Sequence, residues 1–298
     1  MKKLLLGDLH FGARNFNKTI AAWQEKFFVE CFLPTIAKLK CPVIQMGDIF
    51  DDHVGPTSAV LDFAHRVFFD PMKRSGIPFI AILGNHDCYY RDTLECNSLK
   101  RIEGVQVISE PTLIDNCLLV PWIVKKDRHK LDKYFDDPNI KFTLGHLELD
   151  GGMLYPGRVW KDGDDPSQFP GKIFSGHFHS PSENYVGTPY DLTWAEYNDV
   201  KRMVLIDTDT GTWQDVNCLP ENLHVEVDAI DGKDYTGRIV RVKSEAMLEQ
   251  VKGADEIVCY ESDDEVEDVA MLDIDVKSAF YSVLGEGTAM QIVEEILK

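Results

Sequence analysis

The first 180 residues alternate between short apolar runs and segments whose apolar residues recur with helical spacing. Continuous apolar runs are typical of strands that are buried on both faces of a parallel sheet. The runs are KLLLGD (3–8), PVIQMGD (42–48), IPFIAILG (77–84), IKFTLGH (140–146) and GKIFSGH (171–177). Segments 17–39, 57–74 and 94–103 are predicted to be helical, so the alternation favours an α/β fold.

The first predicted helix carries clear local signals. Asn17 is a favourable N-cap residue. Apolar residues then recur every three or four positions, at Ile20, Trp23, Phe27 and Cys31. We expect this stripe to pack into the core rather than to face a partner, and we expect Pro34 to kink or end the helix.

Two later segments are predicted to form antiparallel strands. Residues 105–122 have the pattern of strands joined by a turn at Asp115 and Asn116. Residues 201–216 have the pattern of a hairpin around an Asp-Thr-Gly turn.

The sequence changes character near residue 220. Two strand-like runs, LHVEVDAI and GRIVRVKS, precede a helix near 244–252, an acidic tract and a final helix near 288–298. We therefore divide the chain into a main domain of residues 1–220, a small α+β domain of residues 221–275 and a C-terminal helix of residues 276–298.

Composition restricts the class of protein. With 298 residues, 44% of them hydrophobic, the chain can bury a sizeable core. The opening MKKLLLG has only three consecutive leucines, too short for a secretion signal, and no apolar stretch approaches the roughly 18 residues of a membrane helix. Seven cysteines without a CxxC pair are typical of reduced thiols, so we expect a cytoplasmic protein without membrane contact.

The net charge of −19 is unevenly distributed. Between Val251 and Asp275 lie ten Asp or Glu and one Lys, so nearly half of the excess lies in one tract. We expect this tract to be a solvated loop or linker. An acidic chain has few cations with which to displace counterions from a phosphate backbone, so strong unaided DNA binding is not expected.

The five apolar runs share one ending: a glycine followed at once by residues that bind metal or transfer protons. The endings are Gly7-Asp8-Leu9-His10, Gly47-Asp48, Gly84-Asn85-His86-Asp87, Gly145-His146 and Gly176-His177-Phe178-His179. A single such ending is explained equally well by a surface turn. Five of them favour a site, because open α/β folds place ligands at the carboxyl ends of their strands. We expect the glycines to allow a tight exit from each strand and the polar groups to meet at one sheet edge.

The side chains at these endings are suited to metal binding. Seven offer nitrogen or oxygen ligands: Asp8, His10, Asp48, Asn85, His146, His177 and His179. This set suits two divalent ions that share a carboxylate, and two ions about 3.5–4 Å apart can promote phosphoryl transfer. By ligand type alone, manganese, iron or zinc would fit.

The sequence gives less reason to expect the remaining histidines in the metal site. We expect His65, His129 and His224 to be structural or solvated. His53 follows Asp48 by five residues and could reach the site.

In this order, the motifs resemble the calcineurin-like metallophosphoesterases over residues 7–179. Within that superfamily, GDIFDD, GNHD, LGHLEL and FSGHFHSPSENYVGTPYDLT are similar to the SbcD and meiotic-recombination-eleven nucleases. The resemblance to the recombination endonuclease subunits of T-even-type phages extends over most of the chain. It implies a four-layer αββα fold, a β-sandwich flanked by helices, in residues 1–220, and a capping domain in residues 221–275.

The resemblance also implies a reaction, the metal-dependent hydrolysis of DNA phosphodiester bonds by an exonuclease and endonuclease of recombination, replication and repair. One ion would be held by Asp8, His10, Asp48 and His179, and the other by Asp48, Asn85, His146 and His177, with Asp48 bridging. Manganese is the metal that the family favours, with magnesium, iron or zinc as alternatives. His86 would stabilise charge on the scissile phosphate or protonate the leaving oxygen, and Asp87 would orient His86.

The partners implied by the resemblance are DNA and an SbcC-type coiled-coil ATPase, in a complex of two nuclease and two ATPase subunits. If a phage encodes the chain, the complex would work in the host cytoplasm. Residues 276–298 are a candidate docking element because their predicted helix carries an apolar stripe. The alternative is that this stripe is buried against the chain itself.

Two features depart from the family pattern. Some members have a further histidine three residues after the bridging aspartate, where this chain has Asp51, so a DNA-positioning role does not carry over to that residue. Only residues 276–298 follow the acidic tract, so the helical segment by which the family grips its ATPase is expected to be short or placed elsewhere.

Two other functions are compatible with parts of the pattern. A phosphoprotein phosphatase or a small-substrate phosphodiesterase would share the metal core. Protein phosphatases of the superfamily typically read GDxVDRG and GNHE, whereas this chain reads GDIFDD and GNHD. A non-enzymatic scaffold would be expected to have lost ligands, and this sequence retains all seven.

Overall fold

The computed structural model describes residues 1–155 and 157–259. The predicted helix near 288–298 and the part of the acidic tract from residue 260 onward lie outside the described residues. Within the described part of the tract, Glu256–Cys259 form a strand rather than the expected loop or linker, because they pair with Ile239–Val242. Within the described part of the chain, no helix is both long enough and apolar enough to span a membrane.

The strands that were predicted from apolar runs are all present. In chain order the strands are β1 (Lys2–Leu6), β2 (Val43–Gln45), β3 (Phe79–Ile82), β4 (Cys88–Tyr90), β5 (Thr93–Asn97), β6 (Gln106–Ile108), β7 (Thr112–Ile114), β8 (Cys117–Val120), β9 (Phe142–His146), β10 (Met153–Tyr155), β11 (Arg158–Val159), β12 (Lys172–Gly176), β13 (Arg202–Asp207), β14 (Thr212–Asn217), β15 (His224–Val227), β16 (Ile239–Val242) and β17 (Glu256–Cys259). The five apolar runs correspond to β1, β2, β3, β9 and β12.

The helical segments are of three kinds. The α-helices are Ala13–Phe16, Lys18–Phe27, Leu33–Leu39, Ser58–Ala64, Asp70–Ser75 and Glu245–Leu248. Two π-helical turns, Phe28–Phe32 and His65–Phe69, join neighbouring α-helices into two longer helices. Short 3₁₀ segments are Ser98–Arg101, Lys125–Tyr134, Pro166–Gln168 and Trp194–Glu196.

The first long helix confirms two predictions and corrects a third. Asn17 caps it, because its side chain accepts hydrogen bonds from the backbone N–H groups of Thr19 and Ile20 at 2.9 and 3.1 Å. Trp23 is buried in the core, as expected. Pro34 does not end the helix, because it lies in the first turn after a π-helical turn, where its missing N–H is tolerated.

Two sheets form the centre of the protein. The larger has the strand order β14-β13-β1-β2-β3-β6, in which β1, β2, β3 and β6 are parallel. The smaller has the order β12-β9-β8-β7, in which β12, β9 and β8 are parallel. Residues of both sheets, among them Leu5, Ile82, Leu119 and Phe142, share one buried cluster, so the sheets pack face to face.

The outer face of the larger sheet is covered by the two long helices. Leu4 and Phe79 of the sheet share a buried cluster with Phe28 and Phe68, which lie in the two π-helical turns. The rings of Phe28 and Phe68 are 5.1 Å apart. The predicted α/β class, a sandwich of two sheets flanked by helices, is confirmed.

The segment predicted as a helix at 94–103 begins instead as a strand and continues as one 3₁₀ turn. Strand β5 pairs antiparallel with β4, and only Ser98–Arg101 is helical, in 3₁₀ geometry. The backbone N–H of Ser98 donates to the carbonyl oxygen of Asp87 at 2.9 Å. This prediction was wrong because pairing with the chain that follows the GNHD motif overrides the local helical pattern.

Both predicted hairpins are confirmed. Strands β7 and β8 are joined at Asp115 and Asn116, whose φ angles of 48° and 62° suit a tight hairpin turn. Strands β13 and β14 pair antiparallel on either side of Gly211.

The predicted second domain contributes a separate small sheet. Strands β15, β16 and β17 are all parallel, and the helix Glu245–Leu248 lies between β16 and β17 in the chain. Val227, Val240 and Val242 form a small core with Val251. The division of the chain at residues 220 and 275 remains a prediction.

Candidate metal centre

The five strand endings come together at one end of the sandwich. Strands β1, β2 and β3 belong to the larger sheet and β9 and β12 to the smaller, so the prediction of a single sheet edge was wrong. Because the two sheets face each other, the carboxyl ends of their parallel strands meet. The site is therefore built by both sheets.

The glycines at these endings are required for space more than for backbone freedom. Of the five, only Gly47 has a left-handed backbone, with φ of 105°. A Cβ atom on Gly84 would lie 2.1 Å from Oδ1 of Asp48, and one on Gly176 would lie 2.3 Å from Oδ1 of Asp8. The glycines thus allow the polar side chains of neighbouring strand ends to approach each other.

A first cluster contains Asp8, His10 and His179, whose ligand atoms lie within 4.8 Å of one another. The Nε2 atoms of His10 and His179 are 3.0 Å apart. The Nδ1 atom of His10 lies 3.1 Å from Oδ1 of Asp51, and that of His179 lies 3.0 Å from Oε1 of Glu196. A carboxylate only accepts, so both Nδ1 atoms carry protons and the two Nε2 lone pairs converge. One cation could accept the lone pairs of both Nε2 atoms.

A second cluster contains Asp48, His146 and His177, and all three residues are buried. Nδ1 of His146 donates to the carbonyl oxygen of Met46 at 2.9 Å, so in the neutral ring, the form that can bind a metal, Nε2 is an acceptor. This Nε2 lies 3.2 Å from Oδ2 of Asp48 and 2.9 Å from Oδ1 of Asn85. Oδ1 of Asn85 is also 3.1 Å from Nδ1 of His177. These acceptors point at one another, which again fits a cation.

The carboxylate of Asp48 lies between the two clusters. Its Oδ2 is 3.2 Å from Nε2 of His146 in the second cluster and 3.9 Å from Nε2 of His10 in the first. The Asp48 carboxylate is therefore placed where it could bind a cation in each cluster.

Asp8 supplies a further test of the fit. Its Oδ2 accepts the backbone N–H of His177 at 2.8 Å, but its buried Oδ1 has no hydrogen-bond partner among the described residues. A buried carboxylate oxygen without a partner is costly unless a cation binds it. The residues present therefore fit a divalent metal.

Protonation equilibria in the site reflect its negative charge. Burial raises the pKa of Asp8 above its ordinary value. Burial opposes a charged His146, but the adjacent Asp48 carboxylate outweighs it and raises the pKa of His146 to about 9. Burial also acts to raise the pKa of Asp48, yet the His146 and His86 rings hold that pKa well below its usual range. Without a cation, protons therefore balance part of the buried charge.

Three of the predicted ligands have left-handed backbone conformations. The φ angles are 44° for His10, 54° for Asp48 and 86° for His177. Such conformations are strained for residues with a Cβ and are held only where the surrounding structure imposes them.

Asp87 is one of the residues that impose the backbone of the site. Its buried carboxylate accepts the backbone N–H groups of Gly84, Asp48 and Ile49, each at 3.0 Å. An indirect role of Asp87 in orienting His86 stays a prediction, because the hydrogen bonds of this carboxylate go to backbone groups. Asp87 ties the loop after β2 to the loop after β3.

His86 stands half-buried at the edge of the clusters. Its Nδ1 donates to the carbonyl oxygen of Asp51 at 2.6 Å, which leaves Nε2 as the atom that can face a substrate. The ring of His53 stacks on it, with centroids 4.2 Å apart and planes 19° apart. Nδ1 of His53 also lies 3.0 Å from the carbonyl oxygen of Asn85, so His53 does reach the site.

A third group of potential ligands, His10, Asp51 and His86, has a simpler explanation than a third metal. Burial acts to raise the pKa of Asp51, but the His10 ring outweighs it and holds that pKa below the usual range. Asp51 is therefore an ionised acceptor for Nδ1–H of His10. Asp51 thus holds the ring of His10, a predicted ligand, through the nitrogen that faces away from His179. It occupies the sequence position at which some relatives carry a histidine.

The other histidines lie outside these clusters, as predicted. His65 pairs with Asp70, and Nδ1 of His129 contacts the carbonyl oxygen of Lys126. His224 is buried, with its Nδ1 2.7 Å from Oδ2 of Asp191.

Sequence reasoning missed the carboxylates that contact the histidines from outside. Glu148 lies 3.2 Å from Nε2 of His177, and Glu196 contacts His179. Glu148 is two residues after His146 in LGHLEL, so its proximity to the motif was a usable signal. Glu196 follows the last motif histidine by 17 residues, and no local pattern marks it.

The comparison with known proteins agrees with this geometry. The calcineurin-like phosphoesterase family matches residues 1–205. The chain is also 30% identical, over 263 residues, to a protein named "Exonuclease subunit 1" from Enterobacteria phage T4, a match that covers 81% of this chain and 76% of that protein. The chain is therefore a hydrolase that belongs to the calcineurin-like phosphoesterase family, whose fold binds divalent metal ions.

Proposed function

We propose that the protein is a metal-dependent DNA nuclease, the phosphodiesterase subunit of an SbcCD-type recombination and repair complex. The observation that carries the proposal is the pair of ligand clusters on either side of Asp48, with His86 at their edge. The relative named as an exonuclease subunit supports DNA as the substrate.

In this proposal Asp8, His10, Asp48 and His179 hold one ion, and Asp48, Asn85, His146 and His177 hold the other. When bound, two divalent ions supply Lewis-acid stabilisation of the phosphoryl charge and lower the pKa of a water nucleophile. Manganese is the proposed metal, on the family resemblance. The imidazole, carboxylate and amide ligands would also accept iron or zinc.

His86 acts on the phosphate. Its Nδ1–H is engaged by the carbonyl oxygen of Asp51, so its Nε2 is the atom presented to a substrate. A proton held at Nε2 can stabilise negative charge on the phosphate and then pass to the leaving oxygen. The stacked ring of His53 limits rotation of His86, which keeps Nε2 directed outward.

A coiled-coil ATPase of the SbcC type is the proposed partner, in a complex of two nuclease and two ATPase subunits. With a net charge of −19, the chain has little counterion release with which to hold duplex DNA. The relative is named as a subunit, which supports assembly with another chain. The partner would bring the DNA to the site.

The test is digestion of end-labelled linear duplex DNA with manganese, with and without the cognate ATPase. We expect metal-dependent release of nucleotides that the ATPase increases and that Asp48→Asn abolishes. Hydrolysis of bis(p-nitrophenyl) phosphate without any attack on single- or double-stranded DNA would favour the alternative, a small-substrate phosphodiesterase or phosphoprotein phosphatase.

A further inference from the structure

On the side away from the first cluster, the His179 ring contacts a buried polar network that includes Thr188, Glu196 and Lys201. Oε1 of Glu196 lies 3.0 Å from Nδ1 of His179. Oε2 of Glu196 accepts from Oγ1 of Thr188 at 2.7 Å and from Nζ of Lys201 at 2.8 Å. Nζ of Lys201 also donates to Oγ1 of Thr188 at 2.9 Å. Glu196, Lys201 and Thr188 are 2%, 5% and 0% exposed, so the network is shielded from bulk solvent.

Lys201 keeps the buried Glu196 carboxylate ionised. Nζ of Lys201 lies 2.8 Å from Oε2 of Glu196 and both side chains are buried, so the adjacent positive charge favours the ionised form of the carboxylate. An ionised carboxylate can only accept hydrogen bonds, so Nδ1 of His179 must donate. The Lys201 ammonium lies 2.8 Å from Oε2 of Glu196 and 3.5 Å from Oδ2 of the partly buried Asp199, so its charge is paired in the interior.

The donor role of Nδ1 decides what the opposite side of the ring can do. With its proton on Nδ1, neutral His179 has a lone pair on Nε2, the atom that lies 3.0 Å from Nε2 of His10 in the first cluster. A ring with the opposite tautomer would present an N–H group to the cluster and could not bind a cation there.

We propose that Glu196, neutralised by Lys201, is a positioning residue that fixes the His179 ring with Nε2 toward the first metal position. The inference rests on the proposed role of His179 as a ligand. The corresponding partner of His10 is Asp51, whose side chain is 30% exposed, compared with 3% for Glu196. The drier carboxylate acts in a lower local dielectric, so Glu196 should contribute more to metal affinity than Asp51 does.

The first experiment needs no mutation in the network. Histidine ring ¹⁵N resonances are recorded on the metal-free wild-type protein, and His179→Gln assigns the signal of His179. We expect Nδ1 of His179 to carry a proton at neutral pH. A signal typical of an unprotonated Nδ1 would overturn the proposal, whether or not the protein binds metal.

The second experiment compares two double variants that differ only in the acceptor. Glu196→Gln with Lys201→Met keeps an amide oxygen for Nδ1–H, whereas Glu196→Leu with Lys201→Met removes the acceptor without leaving a buried ammonium. Mn²⁺ binding is titrated calorimetrically. We expect the leucine variant to lose roughly 10–100-fold in affinity at one of two positions, and the glutamine variant to stay within a few-fold of wild type. Equal affinities in the two variants would overturn the proposal.

A matched control separates this effect from a general loss of stability. Lys3 and Asp115 form another ion pair with a buried lysine, 2.8 Å long, and neither is a proposed ligand or a partner of one. Lys3→Met with Asp115→Asn should leave Mn²⁺ affinity unchanged. If this control loses as much affinity as the leucine variant does, the effect belongs to stability and the proposal fails. If the wild-type protein binds no Mn²⁺, the proposed function fails, while the ¹⁵N measurement still decides the tautomer.

Discussion

The backbone N–H of His86 donates to Oδ1 of Asp48 over 2.9 Å, so the proposed bridging carboxylate is held by the main chain of the loop that carries His86. Removal of the His86 side chain does not remove this hydrogen bond. We therefore expect His86→Ala to keep its fold and its metal stoichiometry while kcat falls roughly 10²–10⁴-fold. Turnover of bis(p-nitrophenyl) phosphate and metal content are measured on the same preparation.

His177→Ala is the comparison for this prediction, because His177 is a proposed ligand. We expect it to lose metal as well as turnover. If His86→Ala and His177→Ala lose metal equally, His86 is not a purely catalytic residue.

Asp48→Asn is expected to be the most damaging of the ligand substitutions. It removes the anionic charge that borders both clusters, while the amide that replaces it is isosteric and keeps one acceptor oxygen. At most one metal position should remain occupied. Anomalous scattering from crystals grown with Mn²⁺ measures both occupancies, and two full positions would refute the bridging role.

Metal binding is expected to release protons and to strengthen as pH rises. The pKa of His146, raised to about 9 by Asp48 against the effect of burial, means that this ring is protonated at pH 7 when no metal is present. A ligand imidazole must be neutral, so metal binding displaces the proton of His146. For one displaced proton, the apparent affinity for metal should rise about tenfold per pH unit up to pH 9.

Calorimetry in buffers of different ionisation enthalpy counts the protons released at pH 7. His129→Gln, a substitution outside the clusters, should release the same number as wild type. Binding at pH 7 without proton release would contradict the prediction.

Asp87→Ala is expected to destabilise the metal-free protein strongly. The substitution leaves the buried backbone N–H groups of Gly84, Asp48 and Ile49 without their acceptor, which should cost at least about 3 kcal/mol in the free energy of unfolding. Denaturant unfolding measures the loss. Glu103→Ala, which removes an exposed partner of Lys73, serves as the control and should leave the free energy of unfolding nearly unchanged.

A chain that ends at residue 275 tests the proposed docking element. We expect it to fold, with an unchanged thermal transition, but to co-purify poorly with the coiled-coil ATPase. Affinity equal to that of the full chain would place the docking surface outside residues 276–298.

The parts that were predictable from sequence are those whose signal is local. An apolar run followed by glycine and a metal-binding residue marks both a buried strand and its functional end, which is why β1, β2, β3, β9 and β12 were found together with the seven candidate ligands. The cap at Asn17 and the turn at Asp115 are equally local.

The parts that were missed depend on contacts between distant segments. Residues 94–97 form a strand because β4 lies beside them, and nothing within the segment itself specifies that pairing. Glu196 is brought to His179 by the folding of the chain after the last motif. The hydrogen bonds of Asp87 to the backbone amides of Gly84, Asp48 and Ile49 were also missed, because they join segments that no local pattern connects.

The left-handed backbones of His10, Asp48 and His177 have a consequence for the choice of metal. Each such conformation costs roughly 1–2 kcal/mol, and the folded scaffold supplies that energy rather than an ion. A centre that is assembled in advance holds its donor atoms at fixed positions, so an ion can bind without rearrangement of the backbone. Selection among divalent ions would then follow how well each ion fits that fixed spacing and those ligand types.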